Sequence, residues 1–219
     1  MPSTKPVKVL SASVAVLLAA MGALYYFIWH NNYDQALRET STRINSLANI
    51  ELNIDNAGDI TYGDLEKKIE QYISETEAIY ARVGKAGNDS VAGSEKIAKD
   101  YLAASLKFQR TMKLRYQTQI WSNSLSKQAR EAADNRMSTP YYTGGNPMAA
   151  LSAFNASMEP IMRLLSEARE AESKAANAKQ SFIEATTLLI TATQKAKSIT
   201  SHDNLANLSL LKKINSQPK

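Results

Sequence analysis

The chain opens with an apolar block and then settles into helical periodicity. From Val9 to Trp29 there is no charged side chain. These 21 residues, at 1.5 Å each, would reach about 31 Å as a helix, matching a hydrocarbon core of about 30 Å. Beyond the block, Leu37, Ile44, Leu47 and Leu52 recur at roughly three-four spacing and predict a first helix over 33–52, able to continue the apolar helix without a break. Residues 53–62 read as a connection. Leu65, Ile69, Tyr72, Thr76, Ile79 and Val83 then alternate steps of four and three, the cleanest heptad in the chain and a second helix.

Three glycines between Gly84 and Gly93 mark a loop, and Ser94 is placed to cap a third helix over 95–136. Its apolar positions (Ile97, Tyr101, Leu102, Leu106, Phe108, Met112, Tyr116, Ile120, Trp121 and Leu125) spread over more than one face, so it needs neighbours on several sides. The run from Thr139 to Pro147 breaks it, and Asn146-Pro147 is an N-cap and first-turn pair for a fourth helix. That helix carries a seam through Leu151, Phe154, Met158, Ile161, Leu165, Ala168, Ala175, Phe182, Leu189 and Ala196, with Pro160 as a kink or restart. This register assigns Glu172 and Lys179 to the core. Leu205, Leu208, Leu211 and Ile214, interrupted by Lys212 and Lys213, form a short basic amphipathic segment suited to lipid headgroups or to a polar tail.

The expected fold class is therefore all-α: an N-terminal transmembrane helix followed by an elongated antiparallel helical bundle of about four helices, two of them long. Its parts are a cytoplasmic segment 1–8, a transmembrane anchor 9–29, an extracytoplasmic bundle 30–201 and an amphipathic or disordered basic tail 202–219. A cleaved signal peptide competes for the first part, with Lys5 and Lys8 as a basic start and Ala20-Met21-Gly22 as small residues for cleavage. Tyr25, Tyr26, Phe27 and Trp29 continue the block as an interfacial aromatic belt, which favours a retained anchor. Lys5 and Lys8 precede it and neutral Asn31-Asn32 follow, which favours a cytoplasmic N-terminus and a periplasmic or extracellular bundle; the mirror orientation is the alternative. Antiparallel alternation brings the C-terminal end back toward the membrane.

Only 8 Gly and 6 Pro in 219 residues agree with long helices and one medium domain. Net charge is +5, of which Lys5 and Lys8 account for two, too even a balance beyond the anchor to imply nucleic acid. With no cysteine, disulfides, thiolate zinc sites and iron–sulfur ligation are excluded. His30 and His202, the two histidines, stand at opposite ends, leaving almost no material for a His-paired metal site or a Ser–His–Asp arrangement. Gly84-Lys85 and Gly144-Gly145 lack the spacing of a phosphate loop. Glu66, Glu70, Glu75 and Glu77, with Glu167, Glu170 and Glu172, alternate with Lys and Arg as solvated, ion-paired helix faces. No catalytic residue, cofactor or metal ligand is nominated, and no enzyme is expected.

The stretch Asn53-Ile54-Asp55-Asn56-Ala57-Gly58-Asp59-Ile60-Thr61-Tyr62-Gly63-Asp64-Leu65 resembles an EF-hand loop. The resemblance implies calcium held by Asp55 at loop position three and Asp64 at the terminal position, around a turn at Gly58. Asn53 replaces the first Asp, Ala57 supplies no oxygen and Asp64 is shorter than the usual Glu, so the calcium expected is weak. A turn in which Asp59 or Thr61 caps the second helix accounts for the same residues.

Tyr101, Phe108, Tyr116 and Trp121 read as core. Tyr141 and Tyr142, in the loop farthest from the membrane, are the candidate partner-contact residues. The function expected is a single-pass membrane-anchored helical interaction or scaffold protein, a component of an envelope or membrane-associated complex. Its partners would be membrane lipid and other membrane or envelope proteins. Homo-oligomerisation through the second-helix heptad or the alanine seam is a further option. The alternative is an extracytoplasmic sensory or ligand-binding bundle acting through a partner protein. Anchored antiparallel helices resemble the extracytoplasmic halves of chemoreceptors in that respect, yet no second transmembrane helix or signalling helix follows.

Overall fold

A computed structural model describes residues 5–53, 62–84, 92–137 and 147–216. The chain is all-helical there: α1 (Lys5–Asn53), α2 (Tyr62–Gly84), α3 (Ala92–Met137), α4 (Pro147–Ala196), a 3-10 turn at His202–Asn204 and α5 (Leu208–Asn215). With 46 and 50 residues, α3 and α4 extend to about 69 Å and 75 Å. The result is a rod.

α1 is unbroken from the apolar block into the bundle. Its inner stripe begins at Tyr33 and follows Leu37, Thr40, Ile44, Leu47 and Glu51 at alternating steps of four and three, all buried. On α2 the buried positions are Leu65, Ile69, Thr76, Ile79 and Val83. Side-chain pairs fix the directions. Glu39 meets Arg82 and Arg43 meets Glu75, so α1 and α2 are antiparallel. As α2 advances through Glu66, Glu70 and Glu77, its partners on α3 retreat through Gln117, Lys113 and Arg110. Phe108 packs against Phe182 with the rings tilted and Arg136 reaches Ser157, which makes α4 antiparallel to α3.

α3 is the central element. It packs against α1, α2 and α4, and the apolar spread seen in its sequence serves these three neighbours. Between Ala98 and Tyr116 nine of its side chains are buried, among them Tyr101, Phe108 and Met112. Farther along only Ser122 and Ala129 are buried, because α1 ends and α2 begins near the level of Tyr116. The last 20 residues or so of α3 and the first part of α4 therefore project as a two-helix hairpin.

The α4 seam has a register that differs from the one expected. Ile161, Ala168, Ala171, Ala175, Ala178, Phe182, Ala185, Leu189, Ala192 and Ala196 are buried, whereas Glu172 is exposed and Lys179 half-buried. Ala171 and Ala178 stand where Glu172 and Lys179 were assigned. Desolvating two charges would cost several kcal/mol each, so the helix turns its alanines inward instead. Leu151, Phe154 and Leu165, placed in the seam by the sequence reading, are exposed.

The C-terminal segment also departs from expectation. α4 does return to the start of the bundle, where the Thr200 hydroxyl donates to Asp34 Oδ1 at 2.5 Å. The chain then reverses through the 3-10 turn. Ala206 N–H donates to the Tyr101 hydroxyl at 3.1 Å, Asn207 N–H to Asn45 Oδ1 at 2.7 Å, and Asn207 Oδ1 caps α5 through Ser209 and Leu210. α5 thus runs beside α1 away from the apolar block, filling the space between α1 and α4 with Leu205, Leu211 and Ile214 buried. Its buried apolar side chains join the core, and α5 leads away from the block as far as the described residues go.

Within the apolar block the described side chains are 16–24, and all nine are exposed, Val16, Leu17, Leu18, Met21 and Leu24 among them. Among the described residues, no helix is long and apolar enough to cross a membrane.

Candidate functional site

Two of the buried polar clusters in the bundle core join side chains of different helices. Glu51, buried on α1, accepts from Arg115 and from the Tyr116 hydroxyl at 2.6 Å. The Arg115 guanidinium lies 5.2 Å from the centre of the Phe182 ring, so one cation ties α1, α3 and α4 together. Burial, reinforced by the Glu51 charge, raises the Tyr116 phenol well above its ordinary value. Burial does the same for Tyr101. Thr76 and Gln109 form the second cluster, the Gln109 amide donating to the Thr76 hydroxyl at 3.1 Å. Both clusters join helices.

On the surface, the carboxylates of α2 are engaged mainly across helices, not along one helix. The Arg43 guanidinium, 2.5 Å from Glu75 and assisted by Gln71, holds that carboxyl below the usual carboxylate range. Glu70 raises the Lys113 ammonium in the same manner. Glu167 and Glu170 do pair along α4, with Arg163 and Lys174. Among the described residues no group of three His, Asp or Glu side chains is placed to hold a metal ion.

The expected site residues fall as follows. Tyr141 and Tyr142 lie outside the described residues, as do Asp55, Gly58 and the rest of 54–61 of the EF-hand-like loop. Its edges belong to helices: Asn53 donates to the Asn49 carbonyl at the end of α1, and Asp64 lies in the first turn of α2. Tyr101, Phe108 and Tyr116 are core residues, whereas Trp121 is 41% exposed with the Lys174 ammonium 5.1 Å from its ring. Neither surface foreseen for self-association is free: the α2 heptad faces the bundle and the alanine seam faces α3.

An exposed apolar strip lies on the projecting hairpin, and three of its residues, Leu151, Phe154 and Leu165, belong to the seam expected from the sequence. Met148, Leu151, Phe154, Met162 and Leu165 line the first part of α4, with Met162 60% and Leu151 53% exposed. The Arg136 guanidinium lies over Phe154 at 5.4 Å and its Nε donates to the Ser157 hydroxyl at 2.6 Å, clamping this part of α4 to α3. The signal was present as a second heptad beside the first, hidden because one helix was assigned one seam. Comparison with family models, curated proteins and solved structures finds no match.

Proposed function

We propose that the chain is a single-pass membrane-anchored helical scaffold that presents the α3/α4 hairpin to partners at a distance from the bilayer. One observation carries this reading: the nine described side chains of 16–24 are all apolar or glycine and exposed on every side of α1. They form the middle of the uncharged run Val9–Trp29, and an all-round apolar helix is at home only in a core or a membrane. Fully exposed to water, Val16, Leu17, Leu18, Met21 and Leu24 would each forgo about 1.5–3 kcal/mol of apolar transfer.

The rest of the architecture agrees. α1 passes directly into the bundle, and the hairpin projects at the opposite end of the rod. Lys5 and Lys8 ahead of the block favour a cytoplasmic N-terminus, with the bundle in the periplasm or outside the cell. Tyr141 and Tyr142 stand in the connection between α3 and α4, where a scaffold would meet an envelope partner.

The test is gentle detergent extraction of the full chain followed by identification of co-purifying proteins. A discrete set of membrane or envelope proteins is expected, reduced at least tenfold by joint Tyr141→Ala and Tyr142→Ala substitution. A chain that elutes with no other protein would remove the scaffold role.

A further inference from the structure

The exposed strip on α4 is a heptad in its own right. Met148, Leu151, Asn155, Met158, Met162 and Leu165 succeed one another at steps of three, four, three, four and three. Met158 is half-buried and the other five are exposed. Met148, Asn155 and Met162 hold the first apolar position of each heptad (a), and Leu151, Met158 and Leu165 the fourth (d). The next two positions in that register are Arg169 and Glu172, both exposed, so the strip ends there. Pro160 falls on the outermost position (f), away from any helix docked on the strip. At this level α4 has only α3 beside it among the described helices, since α5 meets α4 near Thr187.

We infer that this strip pairs with the same strip of a second copy of the chain, as a parallel two-stranded coiled coil between the two α4 helices. Asn155 selects this occupant. A single asparagine among apolar a positions is well satisfied when it meets its own counterpart in a parallel pair, where it fixes register and strand number. Opposite an unrelated apolar helix it would be desolvated without a partner. A two-fold axis along the rod brings Asn155 onto Asn155, Leu151 onto Leu151 and Met162 onto Met162. Charge does not oppose this. The flanking positions are Ser152, Glu159 and Ser166 on one side and Phe154, Ile161 and Ala168 on the other, a single carboxylate per chain.

Size sets the strength of the pair. Eighteen residues span about 27 Å, and a strip one helix wide, about 10 Å, has a footprint of roughly 270 Å². A standard free-standing interface buries about 800 Å² a side. The coiled coil is therefore weak between dilute chains and depends on a high local concentration. Two chains held in one bilayer by the same segment supply that concentration and the parallel orientation; the supply rests on the anchored reading, while the register of the pair does not.

Because the chain has no cysteine, single cysteines report the pairing without background. Full-length variants Leu151→Cys, Met158→Cys, Met162→Cys and Leu165→Cys are oxidised in their native membranes beside Ala153→Cys, Ala156→Cys and Arg163→Cys, exposed positions off the strip. Disulfide dimers are expected at the four strip positions at least fivefold above the three controls. Adding Asn155→Asp to Met162→Cys should reduce that dimer at least threefold, because two carboxylates would face each other, while helicity by circular dichroism stays unchanged. Equal cross-linking at all seven positions, or none at the strip, overturns the pairing. These outcomes differ from failure of the anchor, which would show first as the chain's absence from the membrane fraction.

Discussion

Tyr101 joins α3 to the C-terminal segment, since its ring fills the core and its hydroxyl accepts the Ala206 N–H just before α5. Removing that hydroxyl leaves a buried amide without its acceptor, so Tyr101→Phe should cost about 1–3 kcal/mol, read by chemical denaturation. Its titration gives a pH dependence of definite sign. Burial raises the phenol in the folded chain, and Tyr116 is raised likewise by burial and by Glu51. A group whose pKa is higher folded than unfolded contributes stability that is full below the unfolded value, about 10 for tyrosine, and is lost as pH rises past it. Stability should fall between pH 9 and pH 11, and less steeply in Tyr101→Phe. Little of this was legible beforehand. Tyr101 read as core, but its polar partner is 105 residues away, and nothing local marks Glu51 as buried because its partners on α3 are 64 and 65 residues distant.

Helices were legible as elements because each has a period and punctuation: glycines at 84, 87 and 93, and Pro147 at the first turn of α4. Which face each buries was less so where the apolar residue is alanine. Leu165 drew the α4 register toward Glu172 and Lys179, since leucine outweighs the weak signal of Ala171 and Ala178. The observed packing makes an asymmetric prediction. Ala171→Leu forces extra volume between α3 and α4 and should destabilise by about 1–3 kcal/mol, whereas Glu172→Ala should stay within about 0.5 kcal/mol. Equal effects in thermal melts would restore the sequence-derived register. The short α5 shows the converse limit. Its amphipathic pattern was visible, but its destination depends on Asn45, Tyr101 and the gap between α1 and α4, none adjacent in sequence.

At the scale of the molecule, the all-helical rod follows from scarce Gly and Pro and from helices too long for a compact domain. The candidate interaction strip was hidden because α4 carries two heptads side by side, one turned to α3 and one exposed. The apolar block stands at one end of the rod and that strip toward the other, and the scaffold reading depends on the block lying in lipid. Membranes carrying the full chain can be washed with alkaline carbonate beside a Leu17→Arg/Ala20→Arg variant, whose two charges near the centre of the block each cost about 2.5–3.5 kcal/mol of insertion. The account predicts that the native chain stays in the pellet and the variant moves largely to the supernatant. Recovery of the native chain in the supernatant would contradict it.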